Sequence, residues 1–128
     1  MTTREISIYT ESYVANPDLS GNQYFALALH TVENEVVLAG AGGGFGVLQN
    51  KPEAGQGAEV RHHGISRCEV DGNATNIAIG DLICSDANGR GVVADTIDDL
   101  AFGIALEAST ALGDVISVLM TGPIRVHA

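Results

Sequence analysis

The chain has one lysine, Lys51, and no tryptophan among its 128 residues. Its arginines, Arg4, Arg61, Arg67, Arg90 and Arg125, are scattered, so no basic stripe exists to neutralise a row of phosphates. That argues against direct binding to nucleic acid or to an anionic membrane surface. The formal net charge of −10 favours solubility and, where a protein partner is involved, a basic one. Aromatic residues make up only 5% of the chain, so the core must be assembled from Val, Ile, Leu and Ala. There are two cysteines, Cys68 and Cys84, without the paired spacing of a zinc site. Each lies in an apolar, strand-like run and reads as a buried free thiol kept in a reducing cytoplasm. The segment from Met1 to Glu11 is polar and lacks the apolar stretch of a secretory signal. No apolar run approaches the roughly 18 residues of a membrane-spanning helix. Helix signals are scarce. Thr96 to Leu100, behind Asp95, and Asn73 to Ile79 could each form one short helix, so at most two are expected.

Glycine, by contrast, is abundant at 16 residues, about twice its usual share. Many of these glycines punctuate a pattern that occurs twice. Phe45-Gly46-Val47-Leu48 is followed by Gly57-Ala58-Glu59-Val60 and then by Gly64-Ile65 through Val70. Phe102-Gly103-Ile104-Ala105-Leu106 is followed by Gly113-Asp114-Val115-Ile116 and then by Gly122-Pro123-Ile124 through Val126. The order in both is strand, loop, glycine turn, strand, glycine, strand, which suggests a domain of similar hairpin units. Strands are predicted at Tyr24–His30, Glu35–Leu38, Gly46–Leu48, Ala58–His62, Ile65–Val70, Asp81–Ser85, Gly91–Ala94, Phe102–Leu106 and Val115–Met120, with Asp81–Ser85 and Gly91–Ala94 joined by an Asn88-Gly89 hairpin turn. About nine strands at roughly ten-residue spacing predict a mainly β single domain, a barrel, β-tulip or sandwich. Residues 1–22 read as an extended N-terminal arm: Ile6, Ser7 and Ile8 alternate like a strand, and Asn16-Pro17-Asp18 and Ser20-Gly21 are turn signals. Residues 23–128 form the β-rich domain. An ordinary first strand is the competing reading of the arm.

No reactive constellation accompanies this scaffold. Gly40-Ala41-Gly42-Gly43-Gly44-Phe45-Gly46 could expose amides to an anion, but strand residues follow where a phosphate loop needs a helix. It reads as a flexible loop. His62 and His63 are adjacent on a strand and point to opposite faces, which disfavours a shared metal ion. Asp86-Ala87-Asn88-Gly89 lacks the later Glu of a calcium loop and reads as a turn. Asp81 and Asp114, each after a glycine, read as acceptors for local backbone amides. No Gly-x-Ser-x-Gly element is present. Neither a catalytic site, a metal nor a cofactor is expected.

The run of Phe45-Gly46-Val47-Leu48, Gly57, Val60, Gly64, Ile79-Gly80-Asp81-Leu82-Ile83, Asp86, Gly89, Phe102 to Ala108 and Gly113-Asp114-Val115-Ile116 resembles the capsid cement, or head decoration, family of tailed bacteriophages. The resemblance covers about residues 24 to 120. It implies a small β-rich structural protein on the outer surface of an expanded capsid, made in the bacterial host cytoplasm. It also implies the major capsid protein as partner, and a homotrimer at threefold positions that bridges neighbouring capsid subunits. With the arm as the adhesive edge, Arg4, Glu5, Ile6, Ser7, Ile8, Tyr9 and Tyr13 become the candidate capsid contacts. The alternative is a β-rich module binding carbohydrate or host-surface ligands, which would need exposed aromatics among Tyr9, Tyr13, Tyr24, Phe25, Phe45 and Phe102.

Overall fold

The computed structural model describes residues 5–126. Nine strands form one sheet: β1 (Ile6–Ala15), β2 (Ala26–Leu29), β3 (Glu35–Leu38), β4 (Gly46–Leu48), β5 (Gly57–Asp71), β6 (Leu82–Ser85), β7 (Gly91–Val93), β8 (Leu100–Ala105) and β9 (Leu112–Arg125). The fold is mainly β, and no helix occurs among the described residues. Asp71 Oδ1 instead takes the amides of Asn73 and Ala74 in a turn, and Asp99 Oδ2 takes the amide of Thr96. Those side-chain bonds satisfy the backbone locally and leave nothing for a helical turn to add.

The strand pairings trace two circuits that share β5, rather than one barrel or a two-layer sandwich. In the first, β1 pairs parallel with β3, β3 with β2, β2 with β4, β4 with β5, and β5 returns antiparallel to β1. In the second, β5 pairs parallel with β7, β7 with β6, β6 with β8, β8 with β9, and β9 returns antiparallel to β5. The two circuits have the same order and the same strand directions. β5 closes the first and opens the second.

The backbone repeats with them. Left-handed φ values occur at Tyr24 and Gly80, Asn34 and Gly89, Gly42 and Asp98, Gly55 and Gly113, and Gly64 and Gly122, each pair 55 to 58 residues apart. Gly46 and Gly103 are a further matched pair. A Cβ on Gly46 would meet Val60 Cγ1 at 2.5 Å, and one on Gly103 would meet Val118 Cγ1 at 2.5 Å. In both circuits a short strand lies so close to its long partner that a side chain would collide with a valine. The glycine and aliphatic pattern of the sequence is therefore the trace of a repeated strand packing.

Two expectations need correction. Gly64 and Gly122 do not end strands; each lies inside one long strand, so the predicted pair Ala58–His62 and Ile65–Val70 is the single strand β5. Gly64 instead lets β1 approach, since a Cβ there would run into the carbonyl oxygen of Ile6. Residues 6–15 are extended, as predicted, but they are not a free arm. They bond to β5 from Ile6↔Ile65 to Val14↔Gly57. The chain then turns at Asn16–Asp18, and Leu19 is fully buried. Leu19 shares a core with Ala15, Leu27, Val36, Leu48, Ala58 and Val60, inside the first circuit. The physical reason is that a segment with Ala15 and Leu19 in phase with the core gains more from burial than from staying solvated.

The larger core fills the second circuit around Phe102, Ile83, Val70, Cys68, Ile116 and Val118. Both cysteines are free and buried. Burial pushes the Cys68 thiol up to about 12, and burial with the Asp99 carboxylate 3.8 Å away does the same for Cys84. Since the thiolate is the nucleophile, the native protein should resist thiol reagents at neutral pH and react at both positions once denatured. A disulfide-exchange dye assay with and without denaturant checks this; fast labelling of either thiol in the native state would contradict it.

Candidate functional site

β1 and β5 form a ribbon on one side of the first circuit, and its side chains make the most concentrated cluster of aromatic and titratable groups. On β1, Tyr9, Glu11 and Tyr13 alternate onto one face. His62 of β5 and Phe45, just before β4, meet them there. The Tyr9 and His62 rings stack with centroids 5.2 Å apart, and Phe45 lies 5.2 Å from His62. The Tyr13 ring meets Phe45 edge-on at 5.7 Å. Tyr13 Oη donates to Glu11 Oε1 at 2.5 Å and lies 3.3 Å from His62 Nε2.

These contacts set the protonation states. Burial holds His62 below its usual value, opposed by the Glu11 carboxylate 3.5 Å away. The hydrogen bond from Tyr13 keeps Glu11 low, while burial and that same bond push Tyr13 well above the ordinary phenol range. At neutral pH the cluster therefore presents one carboxylate, a neutral imidazole and two phenols.

The predicted contact residues fall in different settings. Arg4 lies outside the described residues. Glu5 is exposed and lies 3.7 Å from both Arg61 Nη1 and Arg67 Nε. Ser7 Oγ bonds to Thr10 Oγ1 at 2.7 Å. Ile6 and Tyr9 are half-exposed, and Ile8 is 76% exposed. Tyr13 is partly covered by the first core. The structure thus gathers Tyr9 and Tyr13 into one cluster, keeps Ile8 in solvent and pairs Glu5 with Arg61 and Arg67 of β5. Glu11, Phe45 and His62 were missed as partners. The odd-numbered spacing of Tyr9, Glu11 and Tyr13 could have flagged Glu11, but nothing local to Phe45 or His62 points to β1.

Along its outer edge, β1 pairs with β3 only at Val14 and Ala15. From Ile6 to Ser12 that edge has no strand beside it among the described residues. Such an edge exposes amides and carbonyls to an added strand.

The other candidates resolve into scaffold. The Gly40–Gly46 loop is bonded down rather than flexible: Gly42 donates to Ser85 O at 2.8 Å, Ser85 donates to Gly43 O at 2.8 Å, and Leu100 donates to Gly42 O at 2.8 Å. It ties the two circuits together. Asp86 Oδ1 accepts the amides of Asn88 and Arg90, and Asp81 Oδ2 that of Ala78, as turn chemistry predicts. Asp114 differs: its Oδ2 takes the Ser109 hydroxyl at 2.8 Å instead of a backbone amide. A hollow of about 350 Å³ is lined by Cys84, Asp86, Asp95 and Asp99 among others. No group of three His, Cys, Asp or Glu side chains that could hold a metal ion converges among the described residues. Of the six aromatic side chains, Phe25 and Phe102 are buried and only Tyr9 is substantially exposed, with one ring face already stacked on His62.

The phage cement protein family matches residues 21–120. This chain belongs to that family. Membership makes it a structural protein of the phage capsid, associated with the virion. Among solved structures, one described as the head fiber gp8.5 N base in bacteriophage phi29 aligns with a TM-score of 0.67 and 17% sequence identity, over 92% of this chain and 98% of that one. At that identity the likeness speaks for the fold. No curated protein sequence matches the chain. β1 lies ahead of the segment matched by the family, so the Tyr9–His62 cluster is reached only through this chain's own structure.

Proposed function

We propose that this cement protein binds the outer surface of the expanded capsid and bridges neighbouring major capsid protein subunits, as a homotrimer at threefold or quasi-threefold positions. It does so after synthesis in the host cytoplasm. Membership of the cement family carries this reading, and the free edge of β1 supports a way of doing it. A strand or extended loop of a capsid subunit adds along Ile6 to Ser12, with main-chain bonds giving affinity and Ile8 and Tyr9 giving side-chain contact. The role is structural rather than enzymatic. Several weak contacts per assembly then combine through effective concentration.

Binding to expanded heads that lack this protein tests the reading. Burying one such side chain contributes roughly 1.5–3 kcal/mol, so Ile8→Asp should weaken attachment by about tenfold to a hundredfold. Its solution stability should hardly change, because Ile8 is exposed. Cosedimentation with expanded heads measures the first, and thermal unfolding the second. Unchanged attachment by the Ile8→Asp and Tyr9→Ala variants would remove β1 from the contact. Failure of the wild-type protein to decorate expanded heads would remove the reading itself.

A further inference from the structure

Three nitrogen and oxygen donors from two strands converge within the Tyr9–His62 cluster. His62 Nε2 lies 3.5 Å from Glu11 Oε1 and 3.3 Å from Tyr13 Oη, and Tyr13 Oη lies 2.5 Å from Glu11 Oε1. The three atoms mark a triangle with one corner on β5 and two on β1. Donors held about 2.1 Å from a single ion, at tetrahedral or octahedral angles, stand about 3.0–3.4 Å apart. The two edges that meet at His62 are already close to that length. The third is a hydrogen bond, and it lengthens once the phenol proton that shortens it has gone. The sequence alone predicts no metal, because His62 has only His63 beside it; the set needs β1 in register with β5.

The surroundings suit an ion as well. Glu11 and His62 need lose no proton at neutral pH, since the Tyr13 bond keeps Glu11 low and burial keeps His62 low. The Phe45 backbone carbonyl bonds the His62 ring, as an outer partner does in orienting a metal-binding imidazole. Tyr9 and Phe45 pack against the same ring, each at 5.2 Å. The Glu11 side chain is 46% exposed against 12% for His62, so an ion enters from the carboxylate side and water completes its coordination. Tyr13 is the costly member, because burial and Glu11 push its phenol far above the usual range. A bound dication reverses that balance by favouring the anion beside it. The phenol proton then passes to solvent, and the oxygen takes the metal in its place. One imidazole with two oxygens suits a divalent first-row transition ion, Cu2+ more strongly than Zn2+, ahead of Ca2+ or Mg2+. The other close histidine–carboxylate pair, His30 and Glu35, is already committed. His30 Nδ1 takes the Val32 amide, and Glu35 Oε1 takes the Asn16 side chain.

We propose that Glu11, Tyr13 and His62 form a transition-metal site that ties β1 to β5. The site goes beyond the capsid reading and is tested without capsids, so the failure of either leaves the other standing.

Calorimetric titration of the full chain with Zn2+, after removal of metals by a chelator, tests it. The wild-type protein should take up one equivalent, and excess Ca2+ should not displace it. Glu11→Gln and His62→Gln should each weaken uptake by about tenfold to a hundredfold. Glu11 is exposed, so Glu11→Gln should keep the wild-type circular dichroism and suffices if His62→Gln fails to fold. His30→Gln should bind as the wild type does. Amide exchange at Glu11 to Val14 should slow when Zn2+ is added. With Cu2+, a phenolate-to-copper charge-transfer band should appear in the wild type and be absent from Tyr13→Phe. No uptake of Zn2+ or Cu2+ at micromolar concentration overturns the inference. So do folded Glu11→Gln and His62→Gln proteins that bind as tightly as the wild type, or a copper spectrum that Tyr13→Phe leaves unchanged.

Discussion

Replacing Phe102 with alanine should produce the largest loss of stability of any single core substitution. Phe102 is fully buried and is the largest such side chain in the protein. It stands in the second-circuit core, and its ring also presses on the Gly40–Gly46 loop. A Cβ on Gly44 would lie 2.9 Å from Phe102 Cδ2. Removing the ring takes away its burial and leaves a cavity that the short strands around it cannot collapse into. Such truncations cost about 3–5 kcal/mol, against a total of about 5–15 kcal/mol for an ordinary domain. The repeat supplies an internal control. Phe45 occupies the matching position in the first circuit but is only partly buried, at the edge of the Tyr13–His62 cluster. Phe45→Ala should therefore cost clearly less. Urea unfolding of both variants measures the difference, and equal losses would mean that the two circuits do not divide the core as described.

Gly64→Ala should loosen the amino-terminal part of β1 and lower the stability of the whole domain. Gly64 has a φ of +110, where a side chain is strained whatever space surrounds it. A left-handed residue of this kind costs about 1–3 kcal/mol. The new methyl would also collide with the Ile6 carbonyl oxygen and sit 2.8 Å from the Ile8 amide nitrogen. Both obstacles are backbone, so relief requires β1 to move away and give up ladder bonds to β5. Amide exchange at Ile6 to Thr10 should accelerate, and the unfolding midpoint should fall. Gly21→Ala is the comparison, because nothing lies within 4 Å of a Cβ there and its φ is not left-handed; its effect should stay within about 0.5 kcal/mol. A Gly64→Ala protein as stable as Gly21→Ala, with β1 still protected, would show that the close approach of β1 is not needed. The same closure changes what truncation does. Removing residues 2–15 takes a whole strand and the buried Ala15 from the first circuit, so the remainder should be destabilised rather than left as an intact domain.

The strand content was legible because short aliphatic runs between glycines leave the chain few alternatives. The nine predicted strands are matched by nine observed ones, but not one for one. Ala58–His62 and Ile65–Val70 are one strand, because Gly64 is a point of close approach to β1 and not a turn. β1 reads as an arm in the sequence because it precedes the first strong core strand and is followed by the turn signals Asn16-Pro17-Asp18 and Ser20-Gly21. Its partners, Gly57 to Ile65, lie some fifty residues away, and pairing at that separation leaves no local mark. The repeat was visible only in its β4–β5 and β8–β9 halves, where Gly46 and Gly103 both face a valine. In the hairpins the repeat survives in backbone conformation alone. Tyr24 and Gly80 share a left-handed φ, as do Asn34 and Gly89, yet their side chains have nothing in common.

Composition and spacing by themselves determined the mainly β class, the aliphatic core, the buried thiols and the absence of a basic stripe. Each of these follows from residue type and short-range order. Tertiary structure alone decided that β5 serves two circuits, that β1 closes the first of them, and that Tyr9, Tyr13, Phe45 and His62 meet. It also set the donor atoms of Glu11, Tyr13 and His62 around one point. Those depend on register between strands far apart in the chain, and moving one strand by a single residue would turn its side chains to the opposite face.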